Sequence, residues 1–248
     1  MRCSRIVVGV CGAVAVWALV AQFRLVDPLF LADPFSTART LARMVYSGRI
    51  LPPTVATVRR ALVALAIGGS IGVIAGLILG WARWLYEYCE VVIDFFRSTP
   101  VVALFPLFMI VFGLGDPSKI ATATWAALLL ILVNTTYGVR SVRQVRLDVC
   151  RSLGATNWQM IRYVILPESL PHVIAGFRVA VSIGLIVTVT TEMFLGTTEG
   201  LGKEIYNAGL IYDTTALYAW IGVSGLTGYA LNKLVMLAER RLIHWAGH

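Results

Sequence analysis

A chain of 248 residues that is 58% apolar, only 14% charged and +0.79 in mean hydropathy is far too oily for a water-soluble domain, where roughly 25% charged residues is usual; its place is a membrane. The formal charge of +8 is modest, and with no basic patch interleaved with aromatics outside the apolar runs it excludes a nucleic-acid partner. Cys3, Cys11, Cys89 and Cys150 show no Cys-x-x-Cys spacing and read as free thiols, while the scattered His172, His244 and His248 build no metal site.

A helix needs about 20 apolar residues to cross the hydrocarbon core. Six runs qualify, at residues 6–21, 61–82, 100–113, 120–139, 173–195 and 216–237, which makes the chain an all-α integral membrane protein with about six transmembrane helices. The first run follows Arg2 and Arg5 as a signal peptide would, but without a convincing small-residue cleavage site it reads as an uncleaved span. After it, Ser36–Tyr46 reads as an amphipathic helix lying on a membrane surface. Residues 1–60 therefore form an N-terminal span with an external amphipathic segment, and residues 61–248 a core domain.

The second run carries Gly68, Gly72, Gly76 and Gly80 at four-residue intervals. Such a stripe lets another helix approach closely, either within the subunit or from a second copy. The third run is short, and an earlier start near Val91 would bury Asp94 and Arg97. In the fourth, Asn134, Thr135 and Thr136 make a polar cluster.

Arg140, Arg143, Arg146, Arg151 and Arg162 then crowd a basic island between spans, at residues 140–171. Cationic loops stay on the cytoplasmic side. With both termini inside, Arg83, Arg97, Arg240 and Arg241 join the island there, against Arg24, Arg39, Arg43, Arg49, Arg59, Arg60, Lys119 and Lys203 outside. The island's chemistry describes helix, turn, helix. Gly154 fits the left-handed residue that ends a helix from about Ser141 to Leu153, Thr156 with Gln159 three positions on is a capping box, and Pro167 and Pro171 stop the second helix. Contact with anionic lipid explains the charge; Trp158 and Ile161, expected side by side with Ile165, point to a protein partner.

In the fifth run Thr188 and Glu192 lie four residues apart, with Thr191 beside them, on one polar stripe. Ionisable residues within spans mark a pathway by default, so Asn134, Thr188, Thr191 and Glu192 are translocation candidates. Two other readings stay open: Glu192 at the external mouth reaching water, and the threonines bonding backbone carbonyls of their own helix. Gly202-Lys203 is no phosphate-binding loop, since Thr197 stands where a glycine is required and Glu204 follows instead of Ser or Thr. No GxSxG or HExxH set occurs.

Residues 148–167 resemble the cytoplasmic EAA loop of permease subunits in ATP-binding-cassette importers. That motif reads Glu-Ala-Ala, three residues, Gly, nine residues, Ile, one residue, Leu-Pro. Here Asp148-Val149-Cys150, Arg151-Ser152-Leu153, Gly154, Val164, Ile165 and Leu166-Pro167 keep the spacing, with Val149 and Cys150 in place of two alanines. Arg97-Ser98-Thr99-Pro100 followed by Ala103, Pro106 and Gly113, and Glu192-Met193 followed by Gly200-Leu201-Gly202, look like the nitrate/sulfonate/taurine branch.

The resemblance implies a type I ABC importer permease fold whose coupling helix sits in a groove of the ATPase. Asp148, Arg151, Ser152, Leu153, Gly154, Ala155, Thr156, Trp158, Ile161, Leu166 and Pro167 would form that contact. It also implies two cytoplasmic ATP-binding subunits carrying MgATP, a second copy of the permease, membrane lipid around it, and no cofactor on this chain. An extracytoplasmic solute-binding protein would capture substrate, because no external segment is long enough to be one. The implied activity is uptake of a small organic or inorganic anion (nitrate, sulfonate, taurine or aromatic carboxylate) across a prokaryotic inner membrane by alternating access. The alternatives are an ion-gradient-driven secondary carrier, against which the lack of internal symmetry argues, and an importer of a thiamine-precursor-like solute.

Overall fold

The computed structural model describes residues 2–242 apart from Pro28 and Leu195, and the side chains of residues 2–7, Val10 and residues 240–242 are likewise outside it. The readings placed on the side chains of Arg2, Cys3, Arg5, Arg240, Arg241, His244 and His248 fall outside the described residues. The regular elements within them are all helical: α1 (Arg2–Gln22), α2 (Pro34–Tyr46), α3 (Leu51–Trp81), α4 (Arg83–Ser98), α5 (Phe105–Phe112), α6 (Asp116–Arg140), α7 (Gln144–Ser152), α8 (Asn157–Met160), α9 (Leu166–Glu192), α10 (Leu201–Leu210) and α11 (Thr214–Leu242).

Three of these make the scaffold. α3 opens with Pro52 and Pro53, whose fixed φ suits a first helical turn, and runs through the glycine stripe. The stripe faces α6 of its own chain: a Cβ on Gly68 would stand 2.6 Å from the Thr124 carbonyl oxygen, on Gly72 2.9 Å from that of Leu128, on Gly76 2.6 Å from Thr135 Cβ and on Gly80 2.5 Å from Val139 Cβ. With lipid as apolar as the helices, close van der Waals approach is what holds such a pair together. α9 closes the other side of α6 in the same way, Gly138 against His172 and Gly176 against Asn134. Small residues fill the crossings, with Ala64, Ala123 and Ala126 packed beside Val187, and Ala127 and Ala180 beside Ile131.

Among the described residues four helices are long and apolar enough to cross a bilayer, or five if α4 and the segment Val101–Phe112, bent 92° from it, count as one. The expected straight span over residues 100–113 is therefore a short 3₁₀ turn, Val101–Leu104, and the eight-residue α5. Thr99-Pro100 makes the break, because proline drives the residue before it out of the helical region; Thr99 is extended, with φ −79° and ψ 127°. The α1 helix runs over Arg2–Gln22, and its described apolar part is Cys11–Gln22.

A second correction concerns the island. Proline does not stop its second helix. α8, a π-helical segment at Ile161–Ile165 and α9 run on as one 36-residue helix, Asn157–Glu192. The Leu166 N–H bonds Ile161 O, one residue further back than in an α-helix. The wider turn makes room for the Pro167 ring, which sits where its missing N–H costs least. Pro171 is inside the helix, one turn later.

Candidate coupling loop and outer ion-pair cluster

The loop between α6 and α9 lies at the end of the scaffold where α3 finishes, and its shape is written by local chemistry. Arg140 ends α6 with its guanidinium 3.8 Å from the Tyr86 ring centroid. α7 then ends in a Schellman turn: the Ala155 N–H bonds Cys150 O at 3.0 Å, the Gly154 N–H bonds Arg151 O at 2.9 Å, and Gly154 has φ +78°. Thr156 and Gln159 form the reciprocal capping box, with the Thr156 N–H on Gln159 Oε1 at 2.8 Å and the Gln159 N–H on Thr156 Oγ1 at 3.3 Å. Asp148 accepts from Arg151 at 2.9 Å, and the Ser152 hydroxyl donates to Asp148 O.

The apolar residues divide into two sets. Leu147, Ile165, Val139 and Val142 are buried, and Ile161 is packed against them with Leu77 and Trp81. Ile161 thus belongs to the footing of the loop, contrary to the expectation that it shares a docking face with Trp158. What the loop does expose is Leu153 (81%), Trp158 (67%), Tyr163, Val145 and Val149, with Leu166 partly open. Val145, Val149, Tyr163, Val164, Pro167 and Pro171 also line an apolar groove of about 690 Å³, at whose edge Arg146 pairs with Glu168.

At the opposite end lies a buried constellation centred on Glu192, whose side chain is fully enclosed. Its carboxylate accepts from Arg60 Nη1 at 2.6 Å, from the Thr57 hydroxyl at 2.8 and 2.9 Å, and from the Gly202 N–H at 3.0 Å. The same guanidinium donates to Asp116 Oδ1 at 2.7 Å and to Glu199 O at 2.6 Å, and Arg59 takes the other Asp116 oxygen at 2.6 Å. Thr57 also accepts from the Leu201 N–H at 2.9 Å. The buried Lys119 donates to Gly115 O at 2.8 Å and Gly196 O at 3.3 Å. The cluster ties α3, α6, α9 and the turn before α10 together. Gly200 and Gly202 are obligatory there, since a Cβ on either would run into Glu192.

Buried Glu192 is therefore paired with buried Arg60, which also reaches the partly exposed Asp116, while Lys119 is held by backbone carbonyls; such pairing is the condition under which buried charge is tolerated. Glu192 does not reach water at the external mouth; it is paired inside the subunit. Thr188 and Thr191 lie on the same buried face, bonding Gly184 O at 2.8 Å and Thr188 O at 2.9 Å within their own helix. Asn134 is nearer the other end, half-buried against Gly176, with Nδ2 on Leu130 O at 2.8 Å. Among the described residues Thr188, Thr191 and Glu192 share the buried face of α9, and Asn134 stands apart from them. Glu192 backs a groove of about 570 Å³ that Thr190 lines with Phe194, Lys203, Tyr206 and Asn207.

Sequence reasoning missed Arg60, Thr57 and Asp116, and it had one usable signal: Arg59-Arg60 directly abuts an apolar run that here starts at Leu51 instead of Ala61. It also passed over Arg178, a cation inside α9 that binds both oxygens of Glu239 at 2.8 Å.

The model of the family described as "Binding-protein-dependent transport system inner membrane component" matches residues 68–244. The taurine transport system permease protein TauC of Escherichia coli K12 is 30% identical over 237 residues, spanning 94% of this chain and 86% of TauC. The putative aliphatic sulfonates transport permease protein SsuC of Bacillus subtilis 168 is 27% identical over 232 residues, spanning 94% and 84%. Among solved structures, the inward-facing MetNI methionine ABC transporter superposes with a TM-score of 0.62 at 22% identity (75% of this chain, 94% of that one). An amino acid ABC transporter superposes at 0.66 and 17% identity (81% and 97%). Importer permeases of this kind are non-catalytic: they work with ATP-binding subunits that hydrolyse the nucleotide and with a solute-binding protein. The chain belongs to the family of binding-protein-dependent transport system inner membrane components, the permease subunits of ATP-binding-cassette importers.

Proposed function

We propose that the chain forms, as a pair of identical copies, the path for a small oxyanion or organic anion of the taurine and sulfonate type across a prokaryotic cytoplasmic membrane, with both termini inside. Two ATPase subunits, each carrying MgATP, dock on the loops of the two copies through Leu153, Trp158 and the residues shaping them: Asp148, Arg151, Ser152, Gly154, Ala155, Thr156, Leu166 and Pro167. The N-terminal unit, residues 1–60, borders the permease core, residues 61–248. The observation that carries this reading is the loop itself. A Schellman turn and a capping box hold exposed apolar side chains on a helix that continues unbroken into a membrane span. That is the construction a partner's motion needs in order to reach the spans. The substrate class follows the names of the relatives, and Lys203 with Thr190 and Asn207 in the outer groove suits an anion.

The test is uptake of labelled taurine and methanesulfonate into proteoliposomes holding the permease, its ATPase and its binding protein. Uptake is expected only with ATP inside a compartment facing the loop, and Gly154→Asp is expected to abolish it while leaving membrane insertion intact. Uptake driven by an ion gradient without nucleotide, or normal transport by Gly154→Asp, defeats the proposal. Transport of a thiamine-precursor-like solute in place of either anion defeats the substrate assignment alone.

A further inference from the structure

One cavity belongs to neither the loop nor the ion-pair cluster. It is about 790 Å³ and lies between α2 and the start of α11, at the end of the scaffold that carries Glu192. Ser36, Arg39, Arg43 and Ser47, the last just past α2, are spaced by three, four and four residues, so they share a face and with Thr40 form one wall. Arg49, from the turn after α2, makes a second wall, and Asp213 and Thr215 at the head of α11 make a third.

The three guanidiniums differ in how they are held. Arg49 is braced, donating to Glu204 at 3.2 Å with its guanidinium 6.0 Å from the Trp220 ring. Arg43 touches only the Thr40 hydroxyl, at 2.9 Å. Neither Arg39 nor Arg43 pairs with a carboxylate among the described residues. Asp213, the one carboxylate on the wall, caps α11 by accepting from the Ala216 N–H at 3.0 Å.

Like charges four residues apart destabilise a helix, and this short helix nonetheless carries two of them facing a cavity. α2 does not need them to stay folded. Its inner face packs Leu41 and Met44 on Leu201, Trp220 and Val223 and buries Thr37, and Asp33 caps it by accepting from the Ser36 N–H at 2.9 Å. Its remaining side, with Phe35 and Tyr46, is apolar and 78% and 92% exposed. A helix with one face on protein, one suited to acyl chains and a basic face between sits at headgroup depth.

We propose that this cavity is a binding site for one tetrahedral oxyanion, held by Arg39 and Arg43 with Arg49 as a fixed third donor. Guanidinium forks match phosphate and sulfonate oxygens bidentately. The α11 N-terminus adds a partial positive charge to the same space. Two sources offer this chemistry: the phosphate of an anionic phospholipid, and a free sulfate or sulfonate approaching the permease from outside. The site is independent of the proposed transport reading, since neither the loop nor the path uses these residues.

The test uses the full permease in nanodiscs, wild type against Arg39→Gln/Arg43→Gln, with Arg24→Gln as a control arginine outside the cavity. In phosphatidylcholine discs, inorganic sulfate is titrated by native mass spectrometry; in discs containing phosphatidylglycerol, retained anionic lipid is counted on the released protein. One oxyanion per chain is expected, with affinity falling about tenfold or more in the double variant, the factor a single charge-assisted hydrogen bond contributes. The Arg24→Gln control is expected to bind as wild type does. Sulfate displaced by phosphatidylglycerol identifies the lipid phosphate as occupant; sulfate bound undiminished beside it identifies a solute. Equal binding by wild type and the double variant overturns the site, as does an equal loss in Arg24→Gln. Unchanged binding with a loss only of solute-binding-protein association reassigns the arginines to a protein contact, and overturns it too.

Discussion

Replacing Glu192 by leucine removes the centre of the outer cluster while keeping a side chain of similar bulk. Arg60, 2% exposed, then keeps Asp116 and Glu199 O but loses the carboxylate, one of the two acceptors of Nη1, at 2.6 Å. The Gly202 N–H and the Thr57 hydroxyl lose theirs as well. Removing one member of a buried ion pair costs about 3–5 kcal/mol, and a stranded buried donor adds about 1–3 kcal/mol. At about 2–4 °C per kcal/mol for a chain of this size, a loss of about 4 kcal/mol lowers Tm by roughly 8–16 °C. The measurement is thermal unfolding of the solubilised permease, followed by loss of the monodisperse peak in size-exclusion chromatography. Arg60→Leu should fall similarly. The double variant should lose less than the sum of the two, because contacting partners are not additive. A Glu192→Leu protein melting within about 2 °C of wild type, or a double variant that is strictly additive, refutes the account of Glu192 as a paired structural anion.

Gly76→Leu drives a side chain into Thr135 and Leu132 O and should cost at least the roughly 1–3 kcal/mol of an overpacked core; Gly222, with nothing within 4 Å of a built Cβ, should accept alanine, and expression of folded protein compares the two. Trp158→Asp should reduce co-purification of the ATPase subunit with little change in Tm, whereas Ile161→Asp should lower Tm, because Ile161 is packed on Val139, Leu147 and Ile165. Thr156→Ala deletes one half of the capping box, worth about 1 kcal/mol. Amide exchange at residues 157–160 should then rise about fivefold, and an unchanged exchange rate would count against the cap.

The parts of the molecule legible in sequence are those whose chemistry is local. Gly154 and the Thr156/Gln159 pair specify their turn and cap within six residues, and the glycine stripe announces a close helix neighbour without saying which. What stayed hidden depends on distance or on backbone geometry. Glu192 pairs with Arg60, 132 residues away, and no pattern along the chain joins them. Once Arg60 was read as lying outside the span, Glu192 looked unpartnered and hence mobile in role. The unbroken passage through Pro167 rests on a π turn that leaves no signature in residue type. The bend at Thr99-Pro100 was readable in principle, since proline restricts its predecessor and the apolar run beyond it is short for a span.

The helix from Asn157 to Glu192 has 36 residues and so a length of about 54 Å at 1.5 Å per residue. One end is the capped turn beside Trp158, and the other is the carboxylate that binds Arg60. A tilt of only about 5° about its midpoint carries each tip roughly 2 Å in opposite senses, several times the roughly 0.5 Å range over which an N–H···O bond holds. Glu192 is then the far arm of a lever. The ion-pair cluster cannot keep all its bonds if the capped turn swings, unless α3 and the turn before α10 travel with it. The strength of that knot fixes whether the Glu192 end of the permease moves as one block.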